Sequence, residues 1–194
     1  MRILITGAAG FIGFSFSKFL IEKTNHEIIG VDNINDYYTT AIKYKRLNIL
    51  KKSKKFKFIK LDIQNKKKLD LIFKRKINAV FHFAAQAGVR YSLINPRSFV
   101  ENNILGFYNI LEKSINHKVK KIFYASSSSV YGDNKKFPLG ENNLINPKNI
   151  YGLSKKINEE ICNVIIKNKR ISIIGLRFFT VFGEWGRPDM LIFK

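Results

Sequence analysis

The sequence lacks several features that would place a protein in a familiar class. Its 194 residues contain a single cysteine, Cys162, so no internal disulfide can form. The helical pattern around Cys162 predicts a buried, small apolar side chain. No apolar run approaches the length that crosses a membrane, and the chain begins in an apolar strand rather than in a basic, cleavable leader. We therefore expect no membrane association and a cytoplasmic location.

Acidic residues are also scarce: 14 Asp and Glu stand against 35 Lys and Arg, giving a formal net charge of +21. Such a balance suggests a polyanion-binding protein, and that alternative stays open. However, lysine dominates over arginine, the charge is spread along the chain with one dense stretch at 43–76, and no recognition module accompanies it. We expect no specific nucleic-acid binding, only a positive field that favours anionic small molecules.

The opening stretch, MRILITGAAGFIG, has the strongest pattern in the chain. An apolar strand leads directly into three glycines spaced three apart, Gly7, Gly10 and Gly13. The first permits a tight turn, the second lets a pyrophosphate approach the backbone, and the third lets the next helix lie close to the sheet. Because the first amides of that helix, Phe11 and Ile12, face such a phosphate, no cationic side chain is required.

An acid follows at the place where a dinucleotide site needs one. The second predicted strand, 27–31, ends in Asp32, nineteen residues after Gly13. A carboxylate there can hold an adenosine ribose diol and would repel a 2′-phosphate, which favours NAD over NADP. Asn33 and Asn35 follow, and they either bond the adenosine or cap the next helix.

Strands and helices alternate along the remaining chain. The pattern predicts strands at 56–61, 79–83, 120–125 and 171–176, and helices at 11–23, 65–76, 96–117 and from about 150. This alternation predicts an α/β fold, a doubly wound parallel (Rossmann) sheet with strand order 3-2-1-4-5-6, as one domain over residues 1–194. The ends of the third and fourth strands, Asp62–Ile63 and Ala84–Ala85, then border the ligand crevice.

Two further residues follow the fourth strand. Arg90 lies just after a glycine turn and is expected to face the crevice. Asn103 lies inside the helix that follows, where asparagine has little propensity value. It either supports the neighbouring loop by hydrogen bonding or is an ordinary polar surface residue.

A proton-transfer set is predicted around the fifth strand. That strand runs into SSSSVYGD, and the following helix opens with YGLSK, in which Tyr151 and Lys155 lie four apart on one helical face. A nearby ammonium stabilises a phenolate, so we expect Lys155 to lower the pKa of Tyr151. Together with a serine, this set suits proton transfer to or from an alcohol or a ketone.

The motifs TGAAGFIG, VDN, HFAAQAGVRYS, ASSSSVYG, YGLSK and LRFFTVFGEWGRPDM together resemble the extended short-chain dehydrogenase/reductase family. Within that family they are most similar to the nucleotide-sugar 4-epimerases, especially those that act on UDP-glucuronate. The resemblance covers essentially the whole chain.

The resemblance implies a role for each matching residue. Tyr151 becomes the general base, Lys155 its electrostatic partner and ribose ligand, and Ser127 the hydroxyl that bridges to the sugar oxygen. The positions that match NAD ligands are Gly7, Gly10, Phe11, Ile12, Gly13, Asp32, Asn33, Asp62, Ile63, Ala84, Ala85, Asn103, Tyr151, Lys155 and Phe179. Those on the substrate side are Arg90, Ser128, Ser129 and Arg187, and no metal is implied.

The implied reaction inverts C4 of a UDP-sugar through a 4-keto intermediate, with NAD regenerated in each turnover and the product serving polysaccharide biosynthesis. Related dehydratases and decarboxylases carry an acid where Ser127–Ser129 stand here, so epimerisation is favoured. Two alternatives remain: UDP-glucose as the substrate, and a non-catalytic NAD-binding module.

The family continues into a smaller C-terminal domain that closes over the sugar nucleotide, and this sequence does not include it. We therefore expect a C-terminally truncated form whose Rossmann domain is incomplete, binding NAD weakly and turning over little or no sugar. The family's usual homodimer uses the helices that correspond to 94–117 and 150–169.

Overall fold

The computed structural model describes residues 1–135, 137–167 and 171–190. Six parallel strands form one sheet in the order β3-β2-β1-β4-β5-β6, which confirms the predicted topology. The strands are β1 (Arg2–Thr6), β2 (Glu27–Asp32), β3 (Phe56–Lys60), β4 (Ala79–His82), β5 (Lys121–Ser127) and β6 (Ser172–Phe178).

Helices cover both faces of this sheet. They are α1 (Phe11–Lys23), α2 (Thr40–Leu50), α3 (Lys66–Phe73), α4 (Tyr91–Ile94), α5 (Pro96–Phe99), α6 (Phe107–Asn116) and α7 (Ile150–Ile166). A π-helical segment, Val100–Gly106, joins α5 to α6, and a 3-10 turn, Ser128–Tyr131, follows β5. No helix of the described residues is long and apolar enough to cross a membrane.

Alternating side chains of the central strands build two cores. In β1, Ile3 and Ile5 pack with Phe14 of α1 and Leu47 of α2, whereas Leu4 packs on the other face with residues of α3, α6 and α7. Both faces are covered, so β1 and β2 read as nearly continuous apolar runs. The sheet thereby holds the carboxyl ends of its strands at one fixed edge.

One predicted helix differs from the observed structure. The segment expected as a continuous helix over 96–117 contains the π-helical turns of Val100–Gly106. Gly106 packs so closely that an added Cβ would lie 2.6 Å from the Cδ1 atom of Ile63. Asn103 turns inward here and bonds the neighbouring loop, so packing rather than helix propensity sets the local geometry.

Smaller differences occur at the strand ends next to the crevice. β5 and β6 each extend two residues beyond the predicted ends, pairing as far as Ser127 with Phe178. The catalytic candidate Ser127 is thus the last residue of a paired strand rather than a loop residue. Cys162, predicted to be a buried apolar side chain, is 2% exposed.

Candidate active site

A cavity of about 400 Å³ opens at the carboxyl ends of β1, β4 and β5. It lies beside the switch point between β1 and β4, where ligands bind in open α/β sheets. Its lining brings together most of the residues singled out in the sequence: Gly7, Gly10, Phe11, Ile12, Gly13, Asp32, Asn33, Ile63, Ala84, Ala85, Ser127, Ser128, Ser129, Tyr151, Lys155, Phe179 and Arg187. Three candidates, Asp62, Arg90 and Asn103, are not part of this lining.

The glycine corner is shaped so that side chains do not fit. Gly7 has φ +71, and an added Cβ would lie 2.7 Å from the backbone nitrogen of Ala84. At Gly13 an added Cβ would lie 2.1 Å from the carbonyl oxygen of Gly7. Gly10 is the N-cap residue of α1 and supplies no side-chain cap, so the first amides of this helix face the cavity. The corner therefore fits an anion held by backbone N–H groups.

Asp32 is anchored to the glycine corner by its own carboxylate. Oδ2 accepts a hydrogen bond from Ala9 N at 3.0 Å, and Oδ1 accepts one from Ile34 N at 2.8 Å. Burial raises the pKa of Asp32, although these amides and nearby cations act in the opposite direction. Each oxygen can accept one further hydrogen bond, as a ribose diol requires.

The wall below this acid is built from the end of β3. Ile63 lines the cavity, whereas the Asp62 carboxylate accepts hydrogen bonds from Asn33 Nδ2 at 3.0 Å and Gln64 N at 2.9 Å. Asn33 and Asn35 both line the cavity, and neither caps α2, whose N-cap is Thr39. Asp62 thus does not line the cavity itself but fixes the side chain of Asn33, which does.

Asn103 lies behind the cavity wall. Its Oδ1 accepts a hydrogen bond from Gln86 N at 2.7 Å, and its Nδ2 donates to Gln86 O at 3.0 Å and to Ser154 Oγ at 3.1 Å. The side chain is 1% exposed, so the surface interpretation is wrong and the supporting one is confirmed. Gln86, which Asn103 fixes, lines the cavity itself.

Tyr151, Lys155 and Ser127 converge on the cavity, two from α7 and one from the end of β5. Ser127 hydrogen-bonds the Tyr151 phenol, and its Oγ also accepts from Ser129 N at 3.1 Å. Lys155 donates from Nζ to the carbonyl oxygen of Ala125 at 2.8 Å and lies 5.9 Å from the Tyr151 ring centroid.

The expected effect of Lys155 on Tyr151 is not found in this structure. Burial raises the pKa of Tyr151, and the Ser127 hydrogen bond and the Arg187 charge only partly offset it. Burial lowers the pKa of Lys155 to about 8. The lysine is 2% exposed and donates to a backbone carbonyl, and its charge is not among the groups that shift the pKa of Tyr151.

On the substrate side, the structure brings Arg187 to the cavity but not Arg90. Arg90 is exposed and lies outside the lining, so its expected position is wrong. Arg187 is held by Asp189 through Nε at 3.0 Å and Nη2 at 2.6 Å, and its guanidinium lies 5.6 Å from the Tyr37 ring centroid. Among the residues that the structure describes, that geometry leaves Nη1 of Arg187 for an anionic ligand.

A carboxylate does lie behind the serine segment, which the sequence did not indicate. Ser126 Oγ donates to Glu159 Oε1. Arg177 donates two hydrogen bonds to the same carboxylate, from Nε at 3.0 Å and from Nη2 at 2.9 Å. Arg177 also donates from Nη1 to Tyr131 Oη at 3.0 Å. Because Glu159 is paired with an arginine and is not part of the cavity lining, it offers no free acid to a ligand.

Sequence reasoning missed several residues that line the cavity. Gln86 and Thr180 follow strands whose ends were already assigned to the site, and that position was the available signal. Lys43 was counted only as one charge in a lysine-rich stretch. No pattern separates it from its exposed neighbours except its place on the inner face of α2. Within the described residues, no group of three His, Cys, Asp or Glu side chains could hold a metal.

The comparisons with known proteins agree with this geometry. Residues 3–194 match the model of the NAD dependent epimerase/dehydratase family. The chain belongs to that family.

Members of the family with assigned activities are similar over the whole chain. UDP-glucuronate 4-epimerase 4 of Arabidopsis thaliana is 45% identical, over 100% of this chain and 44% of its own length. The crystal structure of the Bacillus cereus UDP-glucuronic acid 4-epimerase, in complex with UDP-glucuronic acid and NAD, superposes with TM-score 0.93 and 36% identity, over 100% of this chain and 61% of that one.

A UDP-glucose 4-epimerase of Thermotoga maritima, solved with UDP-glucose, has TM-score 0.87 and 32% identity, over 98% of this chain and 59% of that one. This family member therefore resembles epimerases with more than one substrate. It spans about half the length of the curated relatives that it matches.

Proposed function

We propose that this chain is the NAD-binding, catalytic part of a UDP-sugar 4-epimerase that interconverts UDP-glucuronate and UDP-galacturonate. The observation that carries the proposal is the convergence of Tyr151, Ser127 and Lys155 on a cavity whose opposite end is the glycine corner. A diphosphate cradle and a proton-transfer set in one cavity suit a reaction that moves a proton from a hydroxyl oxygen and a hydride from the carbon that bears it.

The residues present fit NAD. The amides at the start of α1 suit the pyrophosphate, because a Cβ on either Gly7 or Gly13 would collide with backbone atoms. Asp32 keeps an acceptor on each carboxylate oxygen for the ribose diol, and Ile63 and Leu61 line the cavity beside it. Bound there, NAD would supply a reversible hydride acceptor.

The protein's own groups would handle the proton. The Tyr151 oxygen would take the proton from the sugar 4-hydroxyl. It would return the proton after the 4-keto sugar has rotated to present its other face to the hydride. Ser127, held at the end of a paired strand, donates a hydrogen bond to the phenolate and so stabilises the base form. Burial raises the pKa of Tyr151 and so disfavours the phenolate, which means that exclusion of water alone does not make Tyr151 a base.

The preference for a uronate rests on the groups that surround the mouth of the cavity. Ser128, Ser129, Thr180 and Arg187 offer hydroxyls and a cation, and no carboxylate among the lining residues on this side would repel an anionic sugar. A 4-keto uronate is a β-keto acid that can lose CO₂ when its carboxylate bond aligns with the ketone. Fixing that carboxylate by these groups would suppress the loss by orientation.

The test is to incubate the chain with NAD and, separately, with UDP-glucuronate and UDP-glucose, and to follow the C4 epimers by chromatography. We expect conversion of UDP-glucuronate to dominate, and a completed chain carrying a family C-terminal domain to exceed the 194-residue chain. The matched control is Tyr151→Phe, which removes one oxygen and is expected to keep NAD binding while losing conversion.

The outcomes separate the alternatives. Dominant conversion of UDP-glucose would replace the substrate assignment but keep the reaction. A non-catalytic module would be favoured if neither the 194-residue chain nor the completed chain converted either sugar, and if Tyr151→Phe left NAD binding unchanged. Absence of NAD binding would refute the proposal.

We also propose a homodimer through the helices α4 to α7. Large apolar side chains are exposed along them, including Leu93 and Ile94 of α4, Leu105 of the π-helical segment and Tyr108 of α6, with Leu153 on α7. An apolar surface of this extent fits a second copy of the same surface. Sedimentation of the chain and of Leu105→Glu tests this, since a monomer in both would refute it. The cytoplasmic location and the role in polysaccharide biosynthesis stay predictions.

A further inference from the structure

Arg46 of α2 is a buried arginine without an acidic partner. It is 0% exposed, and among the residues that the structure describes no carboxylate forms an ion pair with it. Burying a cation costs free energy, and an apolar side chain of similar volume fills such a place without that cost. Stability is therefore a weak explanation for an arginine at this position, and its contacts indicate another.

The guanidinium of Arg46 joins two parts of the site that are far apart in the chain. Nη1 donates to Ala9 O at 2.9 Å, within the glycine corner, and to Tyr38 Oη at 2.8 Å. Nη2 donates to Trp185 O at 2.5 Å and to Gly186 O at 3.2 Å. All four Nη hydrogens are thus used. A planar fork of donors suits such a set of oxygens, which the single nitrogen of a lysine cannot bridge.

The far side of this bridge is the 183–189 loop, which brings Arg187 to the cavity. Trp185 has φ +66, an unfavourable backbone conformation for a bulky residue, so contacts elsewhere must stabilise the turn. Arg46 supplies two of them at the carbonyl oxygens of positions 185 and 186, and the indole packs against Phe14 of α1 with 5.7 Å between ring centroids. The loop is therefore seated on the turn and helix of the glycine corner.

A second contact reaches the same loop from its exposed side. Tyr37 Oη donates to the Asp189 carboxylate at 3.2 Å, and that carboxylate accepts both hydrogen bonds of Arg187. This bond is open to water, whereas the bond from Arg46 to Gly186 O is buried. Because water competes less for a buried hydrogen bond, we expect Arg46 to contribute more than Tyr37 to the position of the loop.

We propose that Arg46 is a positioning residue for sugar selectivity, which seats the 183–189 loop on the glycine corner and so holds Arg187 where the carboxylate of a uronate is bound. The inference rests on the proposed preference for UDP-glucuronate. Arg46 is not part of the cavity lining, so it acts through the loop and not by touching a ligand. Displacement of the loop weakens a charge-assisted bond from Arg187 to an anionic sugar and leaves a neutral sugar almost unaffected.

A role confined to the cofactor end is the competing explanation. Arg46 also bonds Ala9 O, and its positive charge acts to lower the pKa of Asp32. On that explanation its loss weakens NAD, and it changes the affinities for charged and neutral sugars by the same factor. The two explanations therefore differ in whether the preference between sugars changes.

The experiment uses Arg46→Met, Arg46→Lys and, as the control on the exposed side of the same helix, Lys45→Met. Arg46→Lys keeps the charge but not the fork of donors. The first measurement is the fluorescence emission of Trp185, which is the one tryptophan of the chain and so reports the seating of the loop. The second is a calorimetric titration with NAD, and then of the NAD-saturated chain with UDP-glucuronate and with UDP-glucose.

We expect Arg46→Met to shift the Trp185 emission to longer wavelength and to weaken UDP-glucuronate about tenfold, but UDP-glucose and NAD at most about twofold. Arg46→Lys should show the same pattern with about a threefold loss of UDP-glucuronate affinity, because one carbonyl oxygen can still be bonded. Lys45→Met should leave the emission and all affinities unchanged. Should Arg46→Met not fold, Arg46→Lys carries the comparison.

Three results would overturn the assignment of Arg46 while leaving the proposed function intact: an unchanged Trp185 emission, equal weakening of the two sugar nucleotides, or an Arg46→Lys chain that behaves as wild type. Failure of the wild-type chain to prefer UDP-glucuronate over UDP-glucose would instead overturn the proposed substrate, and this inference with it.

Discussion

The two ends of the cavity are built in opposite ways. At the glycine corner, between β1 and α1, the binding groups are backbone amides, and the neighbouring strand residues Leu4 and Ile5 are 0% exposed. At the tyrosine end, between β5, β6 and α7, the functional groups are side chains held by other side chains and by backbone carbonyls. A rigid, fully covered turn forms the first end, and a network of buried polar groups forms the second.

This difference predicts two kinds of sensitivity. The glycine corner tolerates loss of charge but not added volume, because its geometry depends on close backbone packing. The tyrosine end tolerates small changes of volume but not the loss of one partner of a buried pair. The predictions below test each end with a change that the other end should accept.

The largest effect is expected from Arg177→Met at the tyrosine end. This change removes two hydrogen bonds to the partly buried Glu159 carboxylate, each worth about 1.5–3 kcal/mol, so we expect a loss of about 3–5 kcal/mol of unfolding free energy. Urea denaturation measures it. The control is Arg97→Met, which breaks the exposed pair with Glu101 and should leave stability unchanged. Equal effects would show that the Glu159 pair is no more than a surface contact.

Gly13→Ala tests the other end. The added Cβ would lie 2.1 Å from the Gly7 carbonyl oxygen, so α1 must shift away from the turn, at a cost of about 3 kcal/mol. We expect a lower unfolding free energy in urea denaturation and weaker NAD binding in a calorimetric titration. Gly140→Ala is the control, since its nearest contact would be 3.4 Å from the Asn143 side chain. A fully stable Gly13→Ala chain would refute the packing argument.

Lys155 adds a pH dependence that the glycine corner does not have. Its pKa is lowered to about 8 in the folded chain and is 10.5 without the burial. Between these values the unfolded chain binds more protons, so the contribution of Lys155 to stability rises with pH and is lost again as the pH falls towards 8. Denaturation of wild type and Lys155→Met at pH 8 and 10.5 measures the difference.

We expect that difference to change by about 3 kcal/mol in favour of the wild type as the pH rises. Other lysines and tyrosines titrate in the same range, but they are common to both chains and cancel. A difference independent of pH would mean that Lys155 keeps an ordinary pKa in solution.

The smallest effect is expected from Asn103→Ala, which lies between the two ends. Removal of its amide leaves the buried backbone N–H and C=O of Gln86 without their partner, at a cost of about 1–2 kcal/mol. Asn102→Ala is the control, since Asn102 is only partly buried and bonds Ser98 and Gln64. A loss no greater than that of Asn102→Ala would show that water replaces the Asn103 bonds.

The site could be predicted from sequence where one residue acts through a local constraint. The glycine spacing, the acid after β2 and the four-residue spacing of Tyr151 and Lys155 each follow from the geometry of a single turn or helix. The predictions that Arg90 faces the crevice and that Lys155 lowers the pKa of Tyr151 failed because neither depends on a local constraint. Where a side chain points, and which groups surround it, depends on segments distant in the chain, such as β5, whose Ala125 carbonyl accepts a hydrogen bond from Lys155.

By itself, the sequence determined the order of elements, the sheet topology and the two ends of the cavity, because hydrophobic periodicity and glycine placement act over a few residues. Only the tertiary structure decided which polar groups meet. It put Glu159 against Arg177 behind the serines, turned Asn103 onto Gln86, and buried one lysine of α2 beside Asp32. Such pairings depend on long-range packing, which sets burial and therefore the energy of each charge.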